Sequence, residues 1–272
     1  MERCGETRRV RVSVVMPAYN SARHIAGAID SVRAQTVSDW ELLIVDDGST
    51  DGTDAVIARC AQLDSRIRCF TMAKNRGAAF CRAFAVERAA GAWVAFLDSD
   101  DLWLPDKLEK QLAFARRSPE AKLIFTGAAF LKDGAAAPGR YWMQVPERIG
   151  YRALLLQNVI PCSSALVRRS CLRDMTILRT DIHEDFAVWL QILRREPFAY
   201  GVNEPLVVYR VSRASRSGDK RAAAAMTFRT YRAAGLPVGK AAFCFCSYAA
   251  RSVRKYAAIF LGENHFWGKR MT

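Results

Sequence analysis

Three aspartates at positions 98 to 101 follow a short apolar segment and carry the clearest chemical signal in this chain. Trp93 to Leu97 is rich in aromatic and branched side chains, which is typical of a buried strand, and Asp98, Asp100 and Asp101 come directly after it. Carboxylates this close together repel one another unless a cation or a ligand neutralises them. Mg²⁺ takes oxygen ligands and commonly joins a protein carboxylate to substrate phosphates. The stretch predicts a metal site that binds a diphosphate, with a solvated acidic turn as the alternative.

Two further polar loops follow apolar segments earlier in the chain, at Met16 to Asn20 and at Val45 to Asp51. In the first loop, the Tyr19 ring can stack on a nucleotide base. In the second, a carboxylate can accept a hydrogen bond from a base N–H or a ribose hydroxyl, and Gly48 lets the backbone approach a ligand closely. Each loop alone is also an ordinary turn or helix cap. On successive strand ends, the two loops together predict a nucleotide site.

Two predicted helix starts offer further polar groups. The turn Lys74-Asn75-Arg76-Gly77 can present backbone N–H groups and basic side chains to an anion, although an exposed basic turn is an equally good interpretation. The segment His183-Glu184-Asp185 can supply a general base for the attack of a sugar hydroxyl on an anomeric carbon. It can also simply cap a helix, whose dipole favours acids in the first turn. The phosphate-binding patterns Gly-x-x-x-x-Gly-Lys-Ser/Thr and, after the first strand, Gly-x-Gly-x-x-Gly are both absent from the sequence.

Strands and helices alternate through the first half of the chain and must position these groups. The predicted strands are 10–16, 41–45, 67–72 and 93–97, and the predicted helices are 22–34, 54–63, 77–89 and 105–116. Such alternation predicts an α/β fold with a mostly parallel sheet, in which ligands bind beyond the carboxyl ends of the strands. Later in the chain we expect a surface turn over 132–139, helices over 151–157 and 184–195, and a strand over 163–167.

The composition indicates a globular protein with an anionic partner. Of 272 residues, 51% are hydrophobic and 25% are charged, and the net charge is +14. This charge favours nucleotide phosphates, a phospholipid surface or nucleic acid. The eight cysteines lack zinc-type spacing and no signal-peptide core precedes Pro17, so reduced thiols in a cytoplasmic protein are expected. No apolar run approaches the ~20 residues that cross a bilayer.

Five motifs in a fixed order resemble glycosyltransferase family 2. They are residues 12–20 (VSVVMPAYN), 45–51 (VDDGSTD), Asn75-x-Gly77, 96–101 (FLDSDD) and 183–186 (HEDF), and the resemblance covers residues 10 to 215. Segments within 158–210 also look like bacterial teichuronic-acid, O-antigen and capsule-type transferases. The resemblance implies a GT-A fold and an inverting transfer of one sugar from a nucleotide-diphosphate sugar. UDP is the favoured nucleotide, and guanosine or thymidine nucleotides stay open because stacking on Tyr19 does not select a base.

The resemblance assigns roles position by position. Nucleotide-sugar binding falls to residues of the strand-end loops, the 74–77 turn and a late segment: Pro17, Tyr19, Asp46, Asp47, Asn75, Arg76, Asp98 and Arg210. Asp98 and Asp100 match the family's Asp-x-Asp, which binds Mg²⁺ or Mn²⁺, with Asp100 as the expected direct ligand. Asp185 matches the catalytic base, with Glu184 beside it. The implied acceptor is a hydroxyl of a polyprenyl-linked saccharide in the synthesis of a cell-surface polysaccharide.

Processive members of the family carry Gln-x-x-Arg-Trp and membrane spans. The segment Gln191-Ile192-Leu193-Arg194-Arg195 lacks the tryptophan, so a single-addition enzyme is expected. Two other classes stay open. Residues 97–100 also resemble the nucleophile strand of haloacid-dehalogenase-type phosphatases, although Leu102 replaces the Thr or Val of those enzymes. A basic nucleic-acid-binding protein would explain the charge, but no helix-turn-helix, zinc or single-strand-binding signature accompanies it.

These predictions divide the chain into a basic tail at 1–9, a GT-A domain at 10–218 and a helical extension at 219–272. The extension interleaves aromatic residues such as Phe243 and Tyr248 with basic residues such as Lys240 and Arg251. Such helices either cover the core or lie on an anionic membrane. The second alternative would place a cytoplasmic protein at the inner face of the cell membrane by peripheral contact.

Overall fold

The computed structural model describes residues 10–132, 135–139, 142–172, 180–211 and 220–261. The predicted basic tail at 1–9 lies outside the described residues, and so do 133–134 of the predicted surface turn and the end of the extension, 262–272. Within the extension, side chains are described for 222–252. Residues 135–139 of the predicted turn are exposed, as expected for a surface segment.

One ten-stranded sheet runs through the described residues and organises the site. In chain order the strands are β1 (Val12–Ala18), β2 (Trp40–Asp46), β3 (Ile67–Thr71), β4 (Trp93–Phe96), β5 (Leu102–Trp103), β6 (Leu123–Lys132), β7 (Trp142–Met143), β8 (Arg148–Ile149), β9 (Leu166–Arg168) and β10 (Ala199–Val211). The spatial order is β3-β2-β1-β4-β9-β6-β10-β5, with β7 beside β6 and β8 beside β10. The pairings among β1, β2, β3 and β4 are parallel, as is that of β6 with β10, whereas β9 pairs with β4 and β6 in antiparallel fashion. The sheet is therefore mixed and mostly parallel, as predicted.

The neighbouring strands β1 and β2 are buried along their whole length, which explains their nearly unbroken apolar sequences. Their parallel register sets Pro17 opposite Val45 and Ala18 opposite Asp46. On its other side, β1 pairs with β4 from Val12 to Val15. The carboxyl ends of β2, β1 and β4 consequently lie at one edge of the sheet, and the three polar loops that follow them meet there.

Eight α-helices are present in the described part of the chain. They are α1 (Ile25–Arg33), α2 (Thr53–Leu63), α3 (Ala78–Glu87), α4 (Lys107–Arg117), α5 (Tyr151–Leu156), α6 (Glu184–Arg195), α7 (Lys220–Ala233) and α8 (Val238–Leu261). Val14 of β1 packs in a hydrophobic cluster with α1, α2 and α4, and Val15 packs in a second cluster with α3, α5, α6, α7 and α8. Because successive strand residues point to opposite faces, the helices form one layer on each side of the sheet.

The elements predicted for the first half are confirmed, with ends that differ by up to three residues. The strand predicted over 163–167 is wrong in part, because Cys162–Ser164 forms one turn of 3₁₀ helix and β9 begins only at Leu166. The sequence does not predict β6 and β10, the longest strands of the described part. Gly127 interrupts the side-chain pattern of β6, and register shifts on either side of Pro205 form a bulge in β10, so neither strand has a clean alternating sequence.

The first part of the C-terminal extension packs against α5 and α6. Tyr231 of α7 is fully buried, its hydroxyl donates to the Leu155 carbonyl at 2.6 Å, and its ring meets the Phe186 ring edge-on. Ala241 and Cys244 of α8 are buried in the same cluster. None of the helices in the described ranges combines the length and the apolar character that a bilayer crossing requires. The described part of the extension therefore covers the core.

Lys107, at the start of α4, is fully buried. Its Nζ donates to Gln111 Oε1 at 2.8 Å and lies 4.0 Å from the centre of the Trp103 ring. The ring face favours the ammonium form, but burial dominates and lowers the pKa of Lys107 well below its usual value. Gln111 in turn donates to the carbonyls of Ile124 and Ser164, so this buried network holds α4 against the sheet.

Lys107→Met is expected to flatten the pH dependence of folding stability. In the unfolded chain the lysine stays protonated up to about pH 10.4, whereas the buried amine releases its proton at a lower pH. Between these values the unfolded state binds more protons, so the wild-type free energy of unfolding should rise relative to that of the variant by up to about 1.4 kcal/mol per pH unit. Urea unfolding at a series of neutral to alkaline pH values would measure this slope. Lys240→Met, at an exposed position of α8, is the control, and parallel curves for the wild type and Lys107→Met would contradict the prediction.

Candidate active site

Hydrogen bonds join the loops that follow β1, β2 and β4. The Ser21 and Ser99 hydroxyls lie 2.8 Å apart, which links the first loop to the acidic loop. The Ser21 N–H donates to Thr53 Oγ1 at 2.8 Å, and the Thr50 N–H donates to Asn20 Oδ1 at 2.9 Å, which links the first loop to the second. Asn20 has a φ of 47°, the left-handed conformation that this side chain tolerates well. The three predicted loops thus form one connected surface.

Pro17 and Tyr19 differ sharply in their exposure. Pro17 is buried as the sixth residue of β1, whereas Tyr19 is 50% exposed at the rim of the connected surface. The Tyr19 ring is therefore available for stacking, whereas Pro17 is part of the buried sheet.

The adjacent carboxylates Asp46 and Asp47 are almost fully buried, and both order backbone at the sheet edge. Asp46 accepts hydrogen bonds from the Ser49 hydroxyl and from the Ser49 N–H, the latter at 3.3 Å. Asp47 accepts from the N–H groups of Arg76 at 2.8 Å and Gly77 at 2.7 Å. Gly77 has a φ of 87°, and a Cβ there would lie 2.5 Å from Thr180 Cγ2, so this turn requires glycine. The 74–77 turn is thereby fixed against the second loop, with the Asn75 and Arg76 side chains exposed.

Asp101 has a structural role that sequence reasoning did not separate from the metal prediction. It is fully buried, and its carboxylate accepts from the Ser163 hydroxyl at 2.5 Å and from the Arg210 N–H at 2.9 Å. Burial and the charges of Asp98 and Asp100 raise the pKa of Asp101 well above its usual value. The Ser163 hydroxyl also accepts from the Asp98 N–H at 3.1 Å. Asp101 therefore braces the acidic loop against β10 and the 3₁₀ turn.

Asp100 is the carboxylate of this loop that best fits a cation ligand. Burial and the neighbouring charge of Asp98 raise the pKa of Asp100 to about 6, and a bound cation would oppose this shift by stabilising the carboxylate. No side chain donates a hydrogen bond to its carboxylate among the described residues. The Arg210 Nε donates instead to the Asp100 carbonyl, at 3.1 Å. No cluster of three or more metal-ligating side chains is present in the described ranges. Asp98 and Asp100 fit a cation whose remaining ligands come from substrate phosphates and water.

Arg82 is the site residue that the sequence analysis missed. From the second turn of α3 its guanidinium donates to Asp98 through Nη2 and to Glu184 through Nη1. The Arg82 side chain is only 13% exposed, so its ion pair with the buried Glu184 is largely shielded from water, whereas Asp98 is 29% exposed. The signal in the sequence was a single charged side chain within the otherwise apolar run from Ala78 to Val86. Arg82 couples the acidic loop to the first turn of α6.

The start of α6 presents two carboxylates of different character. Glu184 is buried and paired with Arg82, whereas Asp185 forms no salt bridge within the described part of the chain. Burial and the charge of Glu184 raise the pKa of Asp185. The helix start itself is held by α7, because the His183 N–H donates to Thr230 Oγ1 at 2.9 Å. Asp185 is thus a positioned carboxylate of raised proton affinity, which suits a general base.

A cavity of about 310 Å³ lies between α3 and α6 beside these side chains. Arg82, Glu184 and Asp185 supply polar groups to its wall, and Phe96 and Trp189 are among its apolar lining residues. A volume of this order accommodates a small ligand. A ligand in this cavity would contact Asp185 directly.

The structure brings most of the predicted residues together at the sheet edge. Asp98 and Glu184 share Arg82, Arg210 lies against Asp100, and Asp47 holds the turn that carries Arg76. Tyr19 and Asn75 lie at the exposed rim. Their roles toward a nucleotide sugar, a metal and an acceptor stay predictions.

The sheet topology, the polar loops at one edge and the acidic loop define a nucleotide-sugar transferase of the GT-A fold. The mannosyltransferase PcManGT of Pyrobaculum calidifontis, solved in complex with GDP-Man and Mn²⁺, has this fold in common with the chain. The two superpose with a TM-score of 0.64 and 19% identity over 94% of this chain and 81% of PcManGT. The model of glycosyl transferase family 2 matches residues 13–176, and the chain belongs to this family.

Two relatives in bacteria extend the similarity well beyond the matched domain. TuaG of Bacillus subtilis, a glycosyltransferase assigned to teichuronic acid biosynthesis, is 39% identical over 246 residues, which is 90% of this chain and 96% of TuaG. The UDP-Glc:α-D-GlcNAc-diphosphoundecaprenol β-1,3-glucosyltransferase WfgD of Escherichia coli is 32% identical over 77% of this chain and 80% of WfgD. The predicted family is confirmed, and the phosphatase and nucleic-acid-binding alternatives give way to it.

Proposed function

We propose that this protein transfers one sugar, with inversion, from a UDP-sugar to a hydroxyl of a lipid-linked saccharide during cell-surface polysaccharide synthesis. The observation that carries the proposal is the Asp98–Arg82–Glu184 chain, which joins the acidic loop to the carboxylates at the start of α6. A donor site and a general base are thereby held side by side at one sheet edge. The name of WfgD, which specifies a UDP-Glc donor and a diphosphoundecaprenol-linked acceptor, supports the choice of substrates.

The donor would lie across the connected loops. Tyr19 is exposed and can stack on the base, while Asp46 and Asp47 order the loop that faces the ribose. Asn75 and Arg76 are exposed on the turn held by Asp47, and Arg210 lies beside the acidic loop, so their side chains can approach the diphosphate. Pro17 shapes the sheet edge beneath the base.

Asp98 and Asp100 would hold Mg²⁺ or Mn²⁺, with Asp100 as the direct ligand. The bound cation would supply charge neutralisation for the departing diphosphate. Asp100 suits this role because no side chain donates to its carboxylate among the described residues, whereas Asp101 is committed to Ser163 and Arg210. PcManGT was solved with Mn²⁺.

Asp185 would take the proton from the attacking hydroxyl. Glu184 is engaged by Arg82, which leaves Asp185 as the carboxylate that can bind an acceptor in the adjacent cavity. A single displacement with one base inverts the anomeric configuration, and nothing in it requires a second carboxylate as nucleophile. The missing tryptophan after Arg194 favours a single addition rather than processive synthesis.

A lipid-linked acceptor would require contact with the inner face of the cell membrane. Val238 and Phe243 of α8 are 61% and 69% exposed, Lys240 is exposed between them, and the chain carries a net charge of +14. These features support peripheral attachment to an anionic surface in addition to the core packing of α8.

Metal-dependent nucleotide binding is the experiment that tests the proposed function. UDP should bind at least about tenfold more tightly with Mg²⁺ or Mn²⁺ than with chelator, which corresponds to about 1.4 kcal/mol. Asp100→Ala should remove that difference, because the cation would lose its direct protein ligand. Isothermal titration calorimetry with UDP, GDP and dTDP would also identify the preferred base.

The matched control for this titration is Asp54→Ala, an exposed aspartate in the first turn of α2. It should keep the wild-type response to metal. Equal UDP affinity in metal and in chelator for the wild-type protein would contradict the proposed metal site.

A further inference from the structure

A row of stacked arginine and phenylalanine side chains runs along the outer surface of α3. Phe80 and Phe84 lie one turn apart on α3, with ring centres 6.1 Å apart, while Arg76 precedes the helix and Arg88 caps its C-terminal end. The guanidinium carbon of Arg76 lies 3.4 Å from the centre of the Phe80 ring, and that of Arg88 lies 3.5 Å from the centre of the Phe84 ring.

The strand β3 widens this row into a surface. The Phe70 ring meets the Phe84 ring edge-on at 5.3 Å, and the Arg68 guanidinium lies 5.6 Å from the Phe70 ring. β3 is the terminal strand of the sheet, so no further strand of the described part covers this side. We call the surface formed by Arg68, Phe70, Arg76, Phe80, Phe84 and Arg88 the basic–aromatic ridge.

The ridge has the chemistry of a surface for phosphate groups. The exposed charged side chains of residues 66–90 are four basic ones, Arg68, Lys74, Arg76 and Arg88, and one acidic one, Glu87. A guanidinium that stacks on a ring keeps in-plane N–H groups free for phosphate oxygens. Arg68 pairs with Glu41 through one nitrogen. Arg88 donates one nitrogen to the Phe84 carbonyl, and the same nitrogen lies 3.5 Å from the Glu87 carboxylate, so both arginines keep further donors. The arginines are exposed and the rings are half-buried, so contact would be mainly electrostatic.

The position of the ridge relates it to the candidate active site. Its first residue, Arg76, donates its backbone N–H to Asp47 at the sheet edge, so the ridge begins at the rim of the site. Its rings pack against the same hydrophobic cluster as Phe245 and Tyr248 of α8, which places the ridge and α8 in the same helical layer. A flat anionic surface on this side of the molecule would therefore lie next to the opening of the site.

We propose that the basic–aromatic ridge is the surface by which this protein docks on anionic phospholipid, with the rim of the candidate active site turned toward the bilayer. The partner is the headgroup layer of the membrane, because several exposed arginines stacked on separate rings match a sheet of phosphates and not a single bound ion. The proposal rests on the lipid-linked acceptor of the proposed function. Beyond the proposed function, this proposal specifies which face of the molecule contacts the lipid.

Flotation with vesicles of phosphatidylcholine and phosphatidylglycerol tests the ridge without measuring transfer. Each basic side chain near an anionic surface contributes a factor of about five to binding, so Arg88→Gln should lower the partition coefficient about fivefold and Arg68→Gln/Arg88→Gln about 30-fold. Glutamine at position 68 can still donate to Glu41, so the fold should persist. High salt should release the wild-type protein, and vesicles of phosphatidylcholine alone should not bind it.

The matched control is Arg116→Gln/Arg117→Gln, which removes two exposed arginines from α4 in the opposite helical layer. It should bind vesicles nearly as well as the wild type. An equal loss in both double variants would show a dependence on net charge alone and would overturn the ridge. The ridge proposal would also be overturned if Arg68→Gln/Arg88→Gln bound vesicles as well as the wild type does. It would likewise be overturned if Phe243→Ser alone abolished vesicle binding, because docking would then be assigned to α8. UDP affinity measured on the same samples separates the two proposals, because a wild-type protein that binds UDP normally but does not bind the anionic vesicles overturns only the ridge.

Discussion

Asp185→Asn is expected to slow sugar transfer by roughly 10²–10⁴-fold while leaving UDP affinity unchanged, which is the usual effect of removing a positioned general base. Asparagine has nearly the same shape but takes no proton, so the acceptor hydroxyl would have to attack without activation. Asp185 lines the cavity between α3 and α6, whereas the acidic loop that would hold the diphosphate lies across Arg82. Turnover with a UDP-sugar and a diphospholipid-linked acceptor, together with calorimetry of UDP binding, would measure both quantities.

The pH dependence of transfer provides an independent test of Asp185 as the general base. Burial and the charge of Glu184 raise the pKa of Asp185, and the base acts only when deprotonated. Wild-type kcat/KM should therefore fall as the pH drops through a value above the usual range of an aspartate, and Asp185→Asn should lose this acidic limb. If Asp185→Asn kept wild-type turnover, Asp185 would be a helix-capping residue only, and Glu184→Gln would then be tested as the base variant.

Arg82→Leu is expected to lower the free energy of unfolding by about 3 kcal/mol, because removing one member of a buried ion network leaves its partners uncompensated. Glu184 is buried and would lose its cation, whereas Asp98 is 29% exposed and can be rehydrated in part. UDP affinity should fall as well, since Asp98 would no longer be held in place. Chemical denaturation and calorimetry measure the two effects.

Two further variants make the Arg82 prediction specific. Arg82→Lys keeps the charge but offers no planar fork to two carboxylates, so it should give an intermediate loss of stability. Arg88→Gln, on an exposed turn of the same helix, should leave the free energy of unfolding within about 0.5 kcal/mol of the wild type. Wild-type stability of Arg82→Leu would show that the bridge between Asp98 and Glu184 contributes nothing to the fold.

The sequence predicts the first half of the fold well because each strand there ends in residues with a distinct chemical character. Asp46 and Asp47 after β2, and Asp98 and Asp100 after β4, interrupt apolar runs abruptly, and parallel pairing brings all such ends to one edge. The second half is harder, because Gly127 and the bulge around Pro205 obscure the alternation of β6 and β10. Those strands form through pairing with distant partners rather than through local pattern.

The sequence predicts only those site residues that belong to recognisable motifs. Arg82 lies in the interior of a helix, and nothing local distinguishes a surface arginine from one that meets carboxylates 16 and 102 positions away. The structural role of Asp101 could not be predicted either, because the three aspartates of the acidic loop look equivalent in sequence. Only its contacts with Ser163 and Arg210 distinguish Asp101, which holds the loop in place, from the candidate metal ligand Asp100.

The contacts of Asp101 with Ser163 and Arg210 affect when the acidic loop can become ordered during synthesis of the chain. Its partners Ser163 and Arg210 lie 62 and 109 positions further along the chain, and Arg210 belongs to the strand between β6 and β5. The segment matched by the family ends at residue 176, before that strand begins. A nascent chain would have its three polar strand-end loops, up to Asp101, outside the ribosome several seconds before β10 emerges, at about 5–20 residues per second. Until then the acidic loop would lack its clamp, so we expect ordered donor binding only near the end of synthesis.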